Sequence, residues 1–266
     1  MFTLSCNRLI LLLLPLLFLL SGCFSIPETG RKSINLVPES ELIKASSSSF
    51  EVLKQNNPVS DNIIYNAMLE RVGKRILAVS NPEANPADWD FVVFDNDDVV
   101  NAFAMPGGKI GVYTGMFRKV IRGDADLAVI VGHEVAHINA KHGNERLSQD
   151  VLVQLGALGL GLLTKNEEET LRDTILQAYD AGTSIGLSLP FSRLHESEAD
   201  AIGLKYTARA GYDPQTAIDL WERMAALDPN SPLEFFSTHP SADTRIQRLR
   251  ELMPEATAEY EKARGL

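Results

Sequence analysis

The stretch Asp124-Ala125-Asp126-Leu127-Ala128-Val129-Ile130-Val131-Gly132-His133-Glu134-Val135-Ala136-His137 decides how the rest of the chain folds around it. Asp124 follows Gly123 and opens a helix, where an acidic side chain meets unpaired backbone N–H groups. An apolar face then runs through Leu127, Val131 and Val135. Residues four apart lie about 40° apart around a helix axis, so His133 and His137 project from one face. Two neutral imidazole nitrogens placed this way grip one Zn²⁺. Glu134 sits beside the open position of such an ion as a general base, not as a ligand. Two histidines and a glutamate on so apolar a helix are costly to bury unless a partner satisfies them, and a metal is that partner.

A catalytic zinc takes three protein ligands and keeps a fourth position for water, so a third donor must come from elsewhere in the chain. Glu196-Ser197-Glu198-Ala199-Asp200 supplies it. Glu196 and Asp200 share a helical face, which lets Glu196 coordinate while Asp200 hydrogen-bonds the outer nitrogen of His133. Glu198 points elsewhere, into solvent. Taken alone, this acidic spacing more often denotes an exposed helix face and gains its value from context, and two histidines with one carboxylate also suit iron(II). On a continuous helix His142 is rotated about 140° from His137, so it is not a ligand; His142 and His195 are read as structural.

Around this helix the pattern is α+β and mostly helical. Amphipathic helices are predicted over residues 39–53 and 61–79, before the zinc helix, and over 170–181, 196–209, 214–227 and 241–253 after it. The glycine-bearing apolar segment 151–163 reads as a buried helix or as a flap over the site. Strand-like runs at 89–94, 99–105 and 109–114, with Pro106-Gly107-Gly108 as a turn, predict a small sheet containing a hairpin. That sheet either covers the helices or offers Asn101, Ala102, Phe103 and Ala104 as an edge that hydrogen-bonds an extended polypeptide.

The 266 residues are 45% apolar and 23% charged, which describes one ordinary folded domain, placed here at residues 39–266. A net charge of -10 with no Lys/Arg-rich run leaves no electrostatic footprint for nucleic acid. The first residues differ. Arg8 precedes an apolar run from Leu9 to Leu20, about 12 residues where a membrane span needs roughly 20, so residues 1–22 read as a signal peptide. Leu20-Ser21-Gly22-Cys23 resembles a bacterial lipobox, which implies lipidation of Cys23 and anchoring by several acyl chains. Phe24 in place of aspartate implies the periplasmic face of the outer membrane. Residues 23–38 read as a lipidated tether, with ordered structure beginning near Glu39.

His133 to His137, together with Glu196-x-x-Ala199-Asp200, resembles the M48 family of metallopeptidases. Asn101-Ala102-Phe103-Ala104-x-Pro106-Gly107-Gly108, Phe191-Ser192-Arg193 and Ser237-Thr238-His239-Pro240 followed by Arg245 are similar too, and the order fits the soluble periplasmic branch. The resemblance implies a zincin-type fold, one Zn²⁺ held by His133, His137 and Glu196, and proteolysis of damaged or misassembled envelope polypeptides. The outer-membrane assembly machinery enters as a partner on the same ground. His239, which alone reads as an ordinary loop histidine, is implied to lie near the metal. It then either caps the open position and keeps the site latent, or stabilises the oxyanion of the tetrahedral intermediate. Arg245 either orients this region or pairs with Asp243. A different class of function, a chaperone-like lipoprotein that holds unfolded outer-membrane proteins, has no need of Glu134.

Overall fold

The zinc-motif helix forms the centre of the molecule because it is apolar on nearly every side, and a helix of that kind must be enclosed by other elements. Every residue from Asp126 to His137 is buried. The computed structural model describes residues 23–81, 88–161, 191–227, 234–239 and 243–265, with backbone alone at 23, 154–161, 234 and 243–244. The signal peptide and the helix predicted at 170–181 lie outside the described residues.

Strands β1 (Cys23–Ser25) and β2 (Lys32–Ile34) form an antiparallel hairpin. Helices α1 (Glu39–Asn56) and α2 (Ile63–Ser80) follow, the second capped by Asn62, whose side chain accepts from the N–H groups of Ile64 and Tyr65. A three-stranded sheet of β3 (Asp90–Phe94), β4 (Ala102–Met105) and β5 (Lys109–Tyr113) has the order β3-β5-β4. β5 runs parallel to β3 and antiparallel to β4. The turn between β4 and β5 needs its glycines, since Gly107 and Gly108 sit at φ +81° and +80°. Helices α3 (Thr114–Lys119), α4 (Asp124–Asn139) and α5 (His142–Gly161) come next. Then α6 (Arg193–Arg209), α7 (Gln215–Leu227), α8 (Glu234–Thr238) and α9 (Asp243–Arg264) complete the described elements.

The helix α4 packs on α6 on one side, on α2 on another and on β4 on a third. Leu127, Ile130, Val131 and Val135 enter one large core with Ile76, Val112, Tyr206 and Trp221. A smaller aromatic cluster of Phe50, Phe94 and Phe103 ties α1 to the outer face of the sheet. Among the described residues no helix is long and apolar enough to cross a membrane.

The observed elements depart from the sequence reading in three places. Residues 23–38 do not hang free as a tether, because the hairpin docks on the domain, with Ile26 and Ser33 buried and Arg31 ion-paired to Glu145 and Glu198. The last helix passes through Pro254 to Arg264; Ala256 and Leu249 are buried against the core, which outweighs one lost backbone hydrogen bond. The helix placed at 151–163 starts nine residues earlier, at His142. Its one end inside the described side chains is mixed, with Val151 buried and Val153 exposed.

Candidate metal centre

Two glycines bring the halves of the site together. A Cβ on Gly203 of α6 would stand 2.8 Å from His133 N, and one on Gly132 of α4 would stand 2.9 Å from Gly203 O, so the helix backbones touch where any side chain would part them. Thr207 Oγ1 donates to Gly203 O and Ala128 O, pinning the same contact. Ser192 caps α6 by accepting from His195 N. That cap puts Glu196 in the first turn, where the helix dipole favours a carboxylate. The third strand of the site is the segment ending at His239. Phe235 N donates to Val100 O, Phe191 N donates to Thr238 O, and the His239 ring stacks on Phe235 at 4.3 Å.

His133, His137, Glu196 and His239 are all buried, and one donor atom from each lies within 4.8 Å of every other. His133 Nε2 is 3.1 Å from His137 Nε2, 3.5 Å from Glu196 Oε2 and 3.3 Å from His239 Nδ1. Glu196 Oε1 is 3.4 Å from His137 Nε2 and 3.0 Å from His239 Nδ1. Zinc–nitrogen and zinc–oxygen bonds of about 2.0–2.1 Å in a tetrahedron put neighbouring donors about 3.3–3.4 Å apart. The five separations above, 3.0–3.5 Å, lie close to that spacing, as donors gathered round one ion would. Glu196 Oε2 has no hydrogen-bond partner, as expected of an atom whose lone pairs are meant for a metal. The donor chemistry and the spacing both fit Zn²⁺.

Behind the ligands lies a charged support. His133 Nδ1 is 3.1 Å from Asp200 Oδ1, and Arg245 grips the same carboxylate twice, at 2.7 and 2.6 Å. The Arg245 guanidinium lies 3.7 Å over Trp221, and its Nη1 is 3.0 Å from Glu196 Oε2, near enough for attraction though not aligned as a hydrogen bond. These contacts fit orientation of the site, one of the two roles open in the sequence; the Asp243 side chain lies outside what the structure describes. Burial works against ionisation of Glu196, but His239 and Arg245 beside it hold its carboxyl well below the usual range. Burial and Arg245 likewise press His133 down, yet the Asp200 and Glu196 carboxylates raise it to about 9. Glu134 is pushed up by burial, partly offset by His239 and His133. Its Oε1 lies 3.5 Å from His239 Nε2 and has no hydrogen-bond partner.

Glu198 and His142 stand elsewhere than the sequence reading put them, each for its own reason, although His142 stays outside the donor cluster as expected. Glu198, expected in solvent, is buried and accepts from Thr29 Oγ1, Arg31 Nε and His142 Nε2. The docked hairpin covers it. His142, expected to face away from His137, has its Nδ1 2.9 Å from His137 Nδ1. The rotation argument assumed one continuous helix, whereas the chain breaks at Lys141, whose φ of +55° turns His142 back toward the site. His195 remains a supporting residue, with its ring stacked 4.5 Å from His142 and its Nε2 3.2 Å from Glu145.

Among the described residues β4 is an edge strand, next to β5 alone in its sheet. Tyr113 N donates to Asn101 O, so in the alternating antiparallel ladder the N–H and C=O groups of Ala102 and Ala104 face away from β5. Asn101 precedes the strand, and its buried Oδ1 has no partner; Phe103 turns its ring into the aromatic cluster. A cleft joins the end of β4, at Ala104 and Met105, to His137 and Phe191.

Relatives share more than this local arrangement. A sequence model of peptidase family M48 matches residues 64–253. The mitochondrial metalloendopeptidase OMA1 of Schizosaccharomyces pombe is 37% identical over 199 residues, covering 73% of this chain and 54% of the yeast protein. The mitochondrial metalloendopeptidase OMA1 of Danio rerio is 32% identical over 261 residues, 92% of this chain and 53% of its own. The beta-barrel assembly-enhancing protease of Yersinia pestis is 28% identical over 214 residues, 74% of this chain and 42% of its own. The chain spans about half the length of these curated relatives. The match runs from the second helix, through the His133/Glu196 cluster, into the last one, and on that extent the chain belongs to peptidase family M48.

Proposed function

We propose that this chain is a zinc-dependent endopeptidase that cleaves unfolded or misassembled envelope polypeptides at the periplasmic face of the outer membrane, anchored there by lipid on Cys23. The observation that carries the reading is the buried Glu134 carboxylate beside this cluster of donors, with Oε1 unpaired. His133, His137 and Glu196 would hold a divalent ion, which when bound would polarise the scissile carbonyl and acidify water. Glu134 takes the proton from the attacking water and passes it to the departing amide nitrogen. Asp200, clamped by Arg245, keeps the His133 ring turned to the ion. The edge of β4 is read as pairing with an extended substrate backbone at Ala104, where the strand opens on the cleft, an interaction tolerant of sequence and suited to damaged proteins. A relative named for beta-barrel assembly supports misassembled outer-membrane proteins as substrates and the assembly machinery as a partner.

His239 is assigned the capping role. Its Nδ1 stands 3.0 Å from Glu196 Oε1, where it would compete with water for an ion held by the other three donors, and its Nε2 faces the base. On this reading the described form is latent, and His239 leaves to open it. Digestion of unfolded casein by the wild-type protein and by Glu134→Gln tests the activity. Loss of cleavage by about 10²–10⁴-fold in the variant supports the assigned base, and equal cleavage by both proteins rejects it.

A further inference from the structure

We propose that the hairpin Cys23–Ile34 is a positioning element of the metal centre, acting on the His137 ring through Arg31, Glu198 and His142; this rests on the metal-centre reading above. A histidine that offers Nε2 to an ion keeps its proton on Nδ1, and that N–H needs an acceptor which also fixes the ring. For His133 the acceptor is the Asp200 carboxylate, directly. For His137 it is another imidazole. The two Nδ1 atoms of His137 and His142 are 2.9 Å apart, so one of them carries the proton and the other accepts it. With the His137 Nδ1–H donating, His142 must hold its own proton on Nε2, and Glu198 Oε2 lies 3.1 Å from that atom, ready to accept it. Only one tautomer of His142 satisfies both neighbours.

The hairpin then determines where Glu198 stands. Arg31 Nε donates to Glu198 at 2.7 Å, and Thr29 Oγ1 donates to its other oxygen. The outer nitrogens of the same guanidinium donate to both oxygens of Glu145, at 2.7 and 2.6 Å. Glu145 in turn holds His195, whose ring stacks on His142 with an interplanar angle of 22°. One arginine outside the main domain therefore controls both the edge of the His142 ring, through Glu198, and its face, through His195. His142, Glu145 and Glu198 are buried, so loss of Arg31 leaves two enclosed carboxylates without their cation. The ring they support then loses its fixed tautomer and tilt. His133, served by Asp200 and Arg245 on the opposite side, is untouched by that loss.

The test uses the full chain, with zinc affinity read by competition against a chromophoric chelator and site geometry read from the visible spectrum of the cobalt(II)-substituted protein. His142→Phe keeps a ring to stack on His195 but cannot accept from His137. It should weaken zinc binding by about 10–100-fold and shift the cobalt bands. Glu198→Gln and Arg31→Met should move both readouts in the same direction by a smaller factor, and Arg31→Lys should recover part of it. The Arg31 variants lie on the half-exposed hairpin, so they keep the test decisive even if His142→Phe does not fold. A role confined to stability predicts a lower melting temperature with unchanged cobalt bands, which overturns the proposal. His137→Ala separates the two readings. If it abolishes zinc binding while His142→Phe and Arg31→Met bind as wild type, the relay is wrong and the metal centre stands. If His137→Ala binds zinc as tightly as wild type, the metal centre itself is wrong.

Discussion

Replacing Gly203 by alanine tests how the two halves of the site are held together without altering the side chain of any proposed ligand. The new Cβ would sit 2.8 Å from His133 N and 2.9 Å from Gly132 C, whereas ordinary contact begins at 3.4 Å. The helices α4 and α6 must part by about 0.6 Å, the difference between contact and the built position. Metal sites tolerate only about 0.2 Å in bond length, so the ion can be bound only if the helices are drawn back together. Overpacking of this size costs about 1–3 kcal/mol. If zinc binding must supply that strain energy, affinity falls by about 5- to 150-fold, at 1.4 kcal/mol per factor of ten. Competition with a chelator measures the loss, and thermal melting of the metal-free protein shows whether the apo form has relaxed by opening. Gly143→Ala serves as control, since its Cβ would meet Pro106 at an ordinary 3.6 Å. Wild-type affinity in Gly203→Ala would refute the idea that backbone contact between the helices sets the donor spacing.

Three further outcomes follow from the same geometry. His239→Ala should raise casein cleavage several-fold and leave one zinc bound, because three donors remain; a fall in the rate with zinc retained would assign the histidine to the oxyanion instead. Ala104→Pro removes an N–H that faces away from β5, a substitution an edge strand accommodates, so it should raise KM for unfolded polypeptide while kcat and zinc content hold. Unchanged KM would remove β4 from substrate binding. Burial pushes Glu145 and Glu198 up, but Arg31 and His195 at the first, and His142, Thr29 and Arg31 at the second, outweigh it and lower each to about 2. Carboxyl groups lowered in the folded state stabilise it above their ordinary value of about 4.5, and that stability drains away as pH falls toward about 2. Melts of metal-free protein between those limits should show a steep acid loss that is shallower in Arg31→Met; parallel curves would contradict it.

The helical framework and the main donors were legible because they depend on local periodicity. His133 and His137 share a face by helix geometry alone, and Glu196 with Asp200 repeats that spacing on a second helix. The β4–β5 hairpin was visible in Pro106-Gly107-Gly108. What escaped were features set by contact between distant segments. The parallel pairing of β3 with β5 leaves no mark in either strand's own pattern. Gly132 and Gly203 look like weak points in helices until the two backbones are seen to touch there. A single left-handed residue, Lys141, moved His142 from the far side of a continuous helix to the back of His137. Arg31 sits among polar residues that read as a tether, and nothing local announces that it meets Glu145 and Glu198 more than a hundred residues away.

The central claim is that imidazoles from α4 and a carboxylate from α6 enclose one divalent ion. Metal content by mass spectrometry, on protein purified without added metal, tests it most directly in the wild type beside Glu196→Ala. The account predicts one equivalent of zinc in the wild type and its loss in the variant. Equal zinc in both proteins, or none in the wild type after incubation with zinc and desalting, would contradict it.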